Sequence, residues 1–418
     1  MSESIQSAQE SPHVGSAREV FGEFLRLGLT SFGGPVAHLG YFRDRFVQRR
    51  RWFDDEAYAD LIALCQFLPG PASSQVGMAI GLHRAGIRGL IAAWVGFTLP
   101  SAIVLTVLAL GLASFGDAVS EGLLAGLKAA AVAVVAGAVM GMAKTLAPDA
   151  KRATIAVVAM ILVLLIPSPV IQIIAIAIGG FLGAVWVRGG RTGKSQSDTE
   201  TLERPETTIR GLSVPVTRRT GVISLVLCGI LLIGLPIAVA GSGDPTLRLI
   251  DVFYRSGALV FGGGHVVLPL LEAETVRTGL VGHDAFLAGY GAAQAVPGPL
   301  FTFAAFLGAS TTSGPTGILG AAIALTAIFL PAALLTIGVL PFWESLRQRV
   351  LVRRVLVGVS AAVVGLLAAA LYDPVFVQGV TSPMSLAIAA AVFLAQTEWK
   401  VPAWAAVIAA GALGLLLL

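Results

Sequence analysis

Uninterrupted apolar stretches dominate this sequence, and their length restricts it to very few architectures. Residues 89–115, 129–142 and 221–241 contain no Lys, Arg, Asp or Glu. They lie in apolar segments approaching or exceeding the roughly 20 residues that a membrane-spanning helix requires. With 56% hydrophobic and 12% charged residues and a mean hydropathy of +0.85, the chain lies far from a water-soluble domain. In hydrocarbon every backbone N–H and C=O must be paired within the protein, which leaves helices and closed barrels. The short alternating segments of a barrel are absent. The expected fold is therefore an all-α polytopic membrane protein.

Within other apolar segments one pattern occurs twice. Ser31-Phe32-Gly33-Gly34-Pro35 followed by Gln66-Phe67-Leu68-Pro69-Gly70-Pro71 returns as Val260-Phe261-Gly262-Gly263-Gly264 followed by Gln294-Ala295-Val296-Pro297-Gly298-Pro299. Thr98-Leu99-Pro100 has its counterpart in Phe329-Leu330-Pro331. Such an ordered match at a nearly constant offset marks an internal duplication. Gly and Pro cost a helix interior about 1 and 3 kcal/mol. Helix breaks at corresponding places in two membrane halves point to the binding site of a transporter.

Five segments follow from this reading: a polar tail at 1–17, a first repeat at 18–187, a linker at 188–220, an unpaired helix at 221–240 and a second repeat at 241–418. The tail lacks a basic region followed by an apolar core, so no cleaved leader is expected. The linker is polar and carries seven Lys or Arg and four acids, as an inter-domain connection does. Cys65 and Cys228 stand singly in apolar segments, which suggests packing rather than a disulfide or a metal site. No cofactor and no nucleic-acid partner is expected.

Cation placement predicts a topology. Arg43, Arg45, Arg49, Arg50 and Arg51, then Arg84 and Arg88, then Lys144, Lys151 and Arg152, then the linker all fall on one side, which the positive-inside rule makes cytoplasmic. The segments broken at Gly33-Gly34-Pro35 and at Pro69-Gly70-Pro71 must then enter and leave on that same side as hairpins. Crossings follow at about 87–115, 119–145, 152–167 and 170–187. The unpaired helix reverses everything after it, so the second pair of hairpins enters from outside. No Lys or Arg occurs between Arg277 and Arg347, and Arg347, Arg349, Arg353 and Arg354 return inside. The expected result is an inverted-topology repeat with re-entrant broken hairpins. Arg248, Arg255 and Arg277 sit awkwardly, on the outer side.

Four hairpin tips are expected to converge on a cavity, since irregular backbone is tolerated only where protein or water covers it. Half-helices starting after Pro35 or after Pro71 would aim free N–H groups and a positive dipole end into it, as an oxyanion needs. Ser73, Ser74 and Gln75 add side-chain donors, and Thr302 does so in the second copy. The competing explanation for these glycines is close helix packing. It does not account for Gln66 and Gln294 at equivalent places before the two Pro-Gly-Pro elements.

Ionisable residues in apolar segments are functional candidates, here Glu23, Arg26, His38, Lys128, His265, Glu272 and Glu274. Arg26 and Lys128 are candidates to offset anion charge, with snorkelling to an interface as the alternative. His38 and His265 flank the breaks and are candidates to carry a coupling proton, against an ordinary hydrogen-bonded role. Glu272 and Glu274 either relay protons or mark an exposed hairpin end. No GxxxxGK[ST] motif, HExxH cluster or GxSxG element occurs, so neither a nucleotide-driven pump nor an enzyme of those kinds is indicated.

At Phe32 to Phe42, Leu64 to Gln75 and Phe261 to Glu272 the sequence resembles the chromate ion transporter family in its long, two-domain form, and the resemblance extends over nearly the whole chain from about residue 18. It implies a multi-pass protein of the bacterial inner membrane that exports chromate, confers resistance and is coupled by proton antiport. It also implies that Phe32, Gly33, Gly34, Pro35, Gln66, Pro69, Gly70, Pro71, Phe261, Gly262, Gly263, Gly264, Gln294, Pro297, Gly298 and Pro299 form the functional core. The second copy departs by having Gly264 for Pro35 and Phe301-Thr302-Phe303 for Ser73-Ser74-Gln75, so the two sites are expected to differ chemically. Sulfate or another oxyanion is the alternative substrate, and an intramembrane enzyme acting on a phosphorylated lipid is the alternative of another class. The expected partners are the oxyanion and the lipid bilayer, and a homodimer is compatible with the chain.

Overall fold

The computed structural model describes residues 15–114, 117–166, 168–187, 216–261, 264–347 and 349–418. Most of the polar tail and linker, together with Gly262, Gly263 and the His265 side chain, lie outside the described residues. The described residues are mostly helical, with no strand among them. Five of their helices are long and apolar enough to cross a membrane, as the uncharged runs require, and the protein is an all-α polytopic membrane protein.

The first repeat opens with α1 (Ala17–Thr30), capped by Ser16, and α2 (Gly34–Phe42), which widens into a π-helical turn at Arg43–Arg49. α3 (Asp55–Phe67) then leads to the Pro-Gly-Pro element, and α4 (Ala72–Ser114) leaves it. α4 bends sharply at Ala85 and Gly86, so its first part closes a hairpin with α3 and its second part continues separately. With 14 and 13 residues, α1 and α3 reach only about 20 Å at 1.5 Å per residue, too short for a hydrocarbon core of about 30 Å. Both start beside the end of α4's first part: Gly15 N–H donates to the Arg84 carbonyl at 3.1 Å, Arg84 pairs with Glu19 at 3.2 Å, and Phe53, just ahead of α3, packs on His83 at 4.7 Å. Each broken segment thus folds back toward the end where it began.

Three long helices complete this half, α5 (Asp117–Leu146), α6 (Ala150–Leu165) and α7 (Pro169–Trp186). α8 (Arg218–Ser242) follows, and Val222, Ile223, Val226, Ile230, Ile233 and Ile237 leave most of its surface exposed and apolar. A face of this kind is suited to lipid.

The second repeat runs through the same order. α9 (Pro245–Ala258) is broken before a short turn at Gly264–Val266, and α10 (Val267–Leu271) widens into a π-helical turn at Glu272–Val276. α11 (His283–Ala295), α12 (Phe303–Ala309) and α13 (Gly317–Val339) are the counterparts of α3 and the two parts of α4. After α14 (Trp343–Arg347) come α15 (Val350–Ala370), a short α16 (Val377–Gly379), α17 (Pro383–Thr397) and α18 (Ala403–Leu417).

The repeats are interleaved rather than side by side. α5 packs against α17 and α18 of the second half, and α15 packs against α6 and α7 of the first. Both seams use small residues: Gly122 faces Gly414 and Gly126 faces Ala410 in one, while Gly358 lies against Gly179 and Gly183 in the other. Small side chains let helix backbones approach and gain dispersion contacts where lipid supplies no hydrophobic drive. Within each repeat the same device recurs, with Gly28 against the carbonyls of Gly96 and Phe97, and Gly257 against that of Ile328.

Candidate functional site

The four breaks meet at one crossing, and they hold each other through a reciprocal pair of backbone hydrogen bonds. Gly70 N–H, in the first Pro-Gly-Pro element, donates to the Val260 carbonyl at 2.6 Å, just ahead of Phe261. Gly298 N–H, in the second, donates to the Ser31 carbonyl at 2.9 Å, just ahead of Phe32. Each donor belongs to one repeat and each acceptor to the other, so unpaired backbone left by one break is satisfied by its opposite number. Side chains repeat the exchange. A Cβ on Gly298 would lie 2.9 Å from Ser101 Oγ, and one on Gly70 would lie 3.4 Å from Ala332 Cβ. Ser101 follows Pro100 and Ala332 follows Pro331. Gly264 faces Pro35 across the crossing, so one of the two substitutions in the Gly-Gly element lies against the residue it replaces.

Conformation explains the glycines. Gly70 and Gly298 have φ of 121° and 103°, a region that residues with a Cβ rarely enter. The prolines on either side cannot donate hydrogen bonds, so each glycine is the only backbone donor its loop can offer to the other repeat.

Around this common frame the repeats differ. In the first, α4 starts at the crossing with Ser73, Ser74 and Gln75 all buried. Gln75 Nε2 donates to the Pro69 carbonyl at 2.8 Å and braces the loop, while its Oε1 has no partner. Ser74 Oγ and Ser31 Oγ are likewise buried and unpartnered. Orphaned buried hydroxyls are uncommon and costly. His38 joins the two serines' neighbourhoods: its Nε2 lies 3.2 Å from the Ser31 carbonyl and its Nδ1 lies 3.4 Å from Ser73 Oγ. A carbonyl only accepts, so Nε2 carries the proton and Nδ1 is left as an acceptor for the Ser73 hydroxyl.

The second repeat fills the same space with rings. Phe301 packs on Phe329 at 5.9 Å, and Phe303 packs on Phe286 at 5.2 Å and Tyr290 at 5.8 Å. Thr302 Oγ1 is satisfied by the Pro299 carbonyl at 2.7 Å. Gln294 keeps a buried Nε2 without a partner, whereas Gln66 is exposed. Phe32 crosses over to pack on Trp404 of α18 at 5.6 Å. The tips converge as the sequence predicts, but they are packed against one another, with Ser73, Ser74 and Gln75 shielded from the outside.

The charged candidates lie away from this centre. Arg26 is exposed and forms no ion pair among the described residues. Lys128, solitary in the sequence, is paired with Asp284 in the first turn of α11. Glu272 is buried and paired with Arg277 at 3.2 Å. No pattern in the sequence pointed to Asp284, which stands 156 residues from Lys128. The sequence pattern also passed over Ser31 as a donor, although that residue stands two places before the first Gly-Gly break.

Glu23 and Glu274 belong to a pattern that the sequence left unread. Glu23 on α1 is held by Arg45 and Arg50 at the π-helical turn. In the second repeat the polarity is reversed: Arg255 on α9 is held by Glu274 at the equivalent turn, at 2.8 Å, and by Asp251 at 2.8 Å. Arg255 and Arg277 are thus neutralised locally, and Arg248 donates to the Thr278 carbonyl at 3.3 Å. Two of the three cations that fitted the topology awkwardly therefore add no free positive charge to their side.

Comparison with known proteins agrees with this architecture. The chain matches the family model described as Chromate transporter twice, over residues 18–184 and 247–415. It is 26% identical to a chromate transport protein of Pseudomonas aeruginosa over 419 residues, covering 95% of this chain and 91% of that one. An uncharacterized transporter of Methanocaldococcus jannaschii is 25% identical over 362 residues, covering 85% of this chain and 83% of its own length. A chromate transport protein of Cupriavidus metallidurans is 25% identical over 356 residues, covering 83% and 80%. No solved structure matches the chain. Two family matches, one on each set of broken helices, and relatives aligned over most of their length identify this multi-pass membrane protein as a member of the chromate transporter family.

Proposed function

We propose that the protein exports chromate, or a chemically equivalent tetrahedral dianion, across the bacterial inner membrane by alternating access between two inverted repeats, with the first repeat holding the anion. The observation that carries this reading is the set of buried, unpartnered hydroxyls, Ser31 Oγ and Ser74 Oγ, at the crossing where α4 begins. An oxyanion entering there gains O–H and N–H donors and the positive end of a helix dipole. The Ser31 and Ser74 hydroxyls already lack partners, so little is broken to bind it. The packed tips correspond to a closed state, and rocking one repeat against the other would open the crossing to either side. Residues 18–187 and 241–418 are the moving units of this scheme, with 188–220 as the cytoplasmic linker and 221–240 as the helix that reverses orientation.

His38 is the proton carrier in this reading. Protonation at Nδ1 removes the acceptor for the Ser73 hydroxyl, which then turns its proton elsewhere in the crossing, toward a bound anion. Anion occupancy and His38 charge are thereby linked, and the response of transport to an imposed proton gradient tests that coupling and its direction. Export of chromate by such coupling would confer resistance. The relatives named as chromate transport proteins support the choice of chromate, and sulfate shares its charge and shape.

The decisive measurement is uptake of labelled chromate into inside-out vesicles, with sulfate as competitor and with an imposed proton gradient. Protein-dependent uptake driven by an acidic interior is expected. No uptake above empty vesicles sinks export, and indifference to the gradient sinks antiport. Single cysteines at Gln48 and Thr278 are expected to react with impermeant reagents from opposite faces, and reaction from one face contradicts the inversion.

A further inference from the structure

Beside the crossing lies a cavity of about 300 Å³ whose polar lining is Gln66, Thr145, Arg152, Arg353 and Ser360. We infer that it is an anion antechamber, a subsite that collects the dianion before it reaches the crossing, an inference that rests on the transport reading above. Its location argues for this first. Gln66 stands three residues before Pro69 of the first tip, and the two arginines lie in the first turns of α6 and α15. The cavity therefore joins the end of the molecule carrying those basic turns to the base of the anion-holding loop.

Charge argues for it next. No carboxylate is among the lining residues. Arg152 has Asp149 at 3.0 Å as its ion-pair partner. Arg353 forms no ion pair among the described residues. Hydroxyls of Thr145 and Ser360 and the Gln66 amide supply further donors, matching an ion that offers only acceptors. A recess of one sign concentrates counter-ions and speeds their arrival. Its construction argues last: Gln66, Thr145 and Arg152 come from the first repeat and Arg353 and Ser360 from the second. Motion between the repeats would therefore change the cavity's shape as the crossing opens.

A tetrahedral oxyanion presents similar acceptors whether free in solution or carried as a lipid phosphate, and the test separates the two. The full chain is reconstituted in vesicles of phosphatidylcholine alone and in vesicles containing phosphatidylglycerol, and uptake of labelled chromate is measured against concentration. Arg353→Gln is expected to raise KM about five- to tenfold in both vesicle types, with a smaller fall in maximal rate, and Arg353→Lys to restore most of the affinity because charge is retained. Ser360→Asp, which places a carboxylate in the same recess, is expected to raise KM at least as much, and covers the case of an Arg353→Gln protein that fails to fold. An unchanged KM in either folded variant, beside a wild-type protein that transports, overturns the antechamber and leaves the transport reading standing. A KM shift confined to vesicles with phosphatidylglycerol assigns the cavity to a lipid headgroup and also overturns it. Absence of uptake by the wild type overturns the transport reading itself.

Discussion

The two repeats share a backbone plan and differ in what they place on it. Both tips present a positive-φ glycine between prolines and give its N–H to the other repeat, at Val260 and Ser31 respectively. Where the first repeat then buries Ser73, Ser74 and Gln75, the second packs Phe301 and Phe303 into an aromatic cluster and satisfies Thr302 internally. Even the ion pairs that hold the π-helical turns are reversed in polarity, Glu23 with Arg45 against Arg255 with Glu274. The backbone pairing serves both halves alike, because each break leaves unpaired groups that hydrocarbon cannot satisfy. Side-chain chemistry is free to diverge, so one repeat can specialise in the ligand while the other provides a rigid counterpart.

The largest expected effect tests what the repeats share. Gly70→Ala and Gly298→Ala each put a Cβ at a φ that favours glycine, at about 1–3 kcal/mol. At Gly298 the new atom also meets Ser101 Oγ at 2.9 Å. Both variants are expected to lose transport to background in vesicle uptake, to a similar degree. Full activity in either one breaks the reciprocity.

A second pair of variants tests what they do not share. Ser74→Ala is expected to lower chromate transport about tenfold or more, in line with loss of a hydrogen bond to a charged group worth about 1.5–3 kcal/mol. Its thermal stability should be unchanged or raised, since that hydroxyl has no partner to lose and its burial carries a desolvation cost. Phe303→Ala is expected to do the reverse, losing about 3–5 kcal/mol of stability with an unaltered KM in whatever protein folds. Equal behaviour of the two in a thermal melt and a KM measurement would erase the division of labour.

The smallest effect concerns the pair that ties the repeats together at their edge. Lys128 and Asp284 come from different halves, and Asp284 is largely exposed. Solvent screening limits such a pair to about 0.2–1 kcal/mol. Lys128→Ala and Asp284→Asn are expected to be non-additive by that amount in a double-mutant cycle read by thermal unfolding. If Lys128 instead meets the anion, Lys128→Ala alone will weaken transport and Asp284→Asn will not.

The uncharged runs by themselves determined that the chain is helical and lies in a membrane, because backbone groups in lipid must be paired locally. The recurrence of Gly-Gly and Pro-Gly-Pro likewise announced duplicated broken helices, since clustered Gly and Pro oppose a helix, whereas the single prolines Pro100, Pro236 and Pro331 are carried inside α4, α8 and α13. α8 was also legible, from a charge-free stretch. Tertiary structure decided the rest. The exchange of hydrogen bonds between Gly70 and Val260 and between Gly298 and Ser31 depends on how two distant segments cross, and local sequence preference carries no trace of it. The same holds for Lys128, whose charge looked available for an anion until the fold brought Asp284 beside it. Spacing along the chain tells which residues share a helix face, but only packing tells which buried hydroxyl at Ser31 or Ser74 remains without a partner.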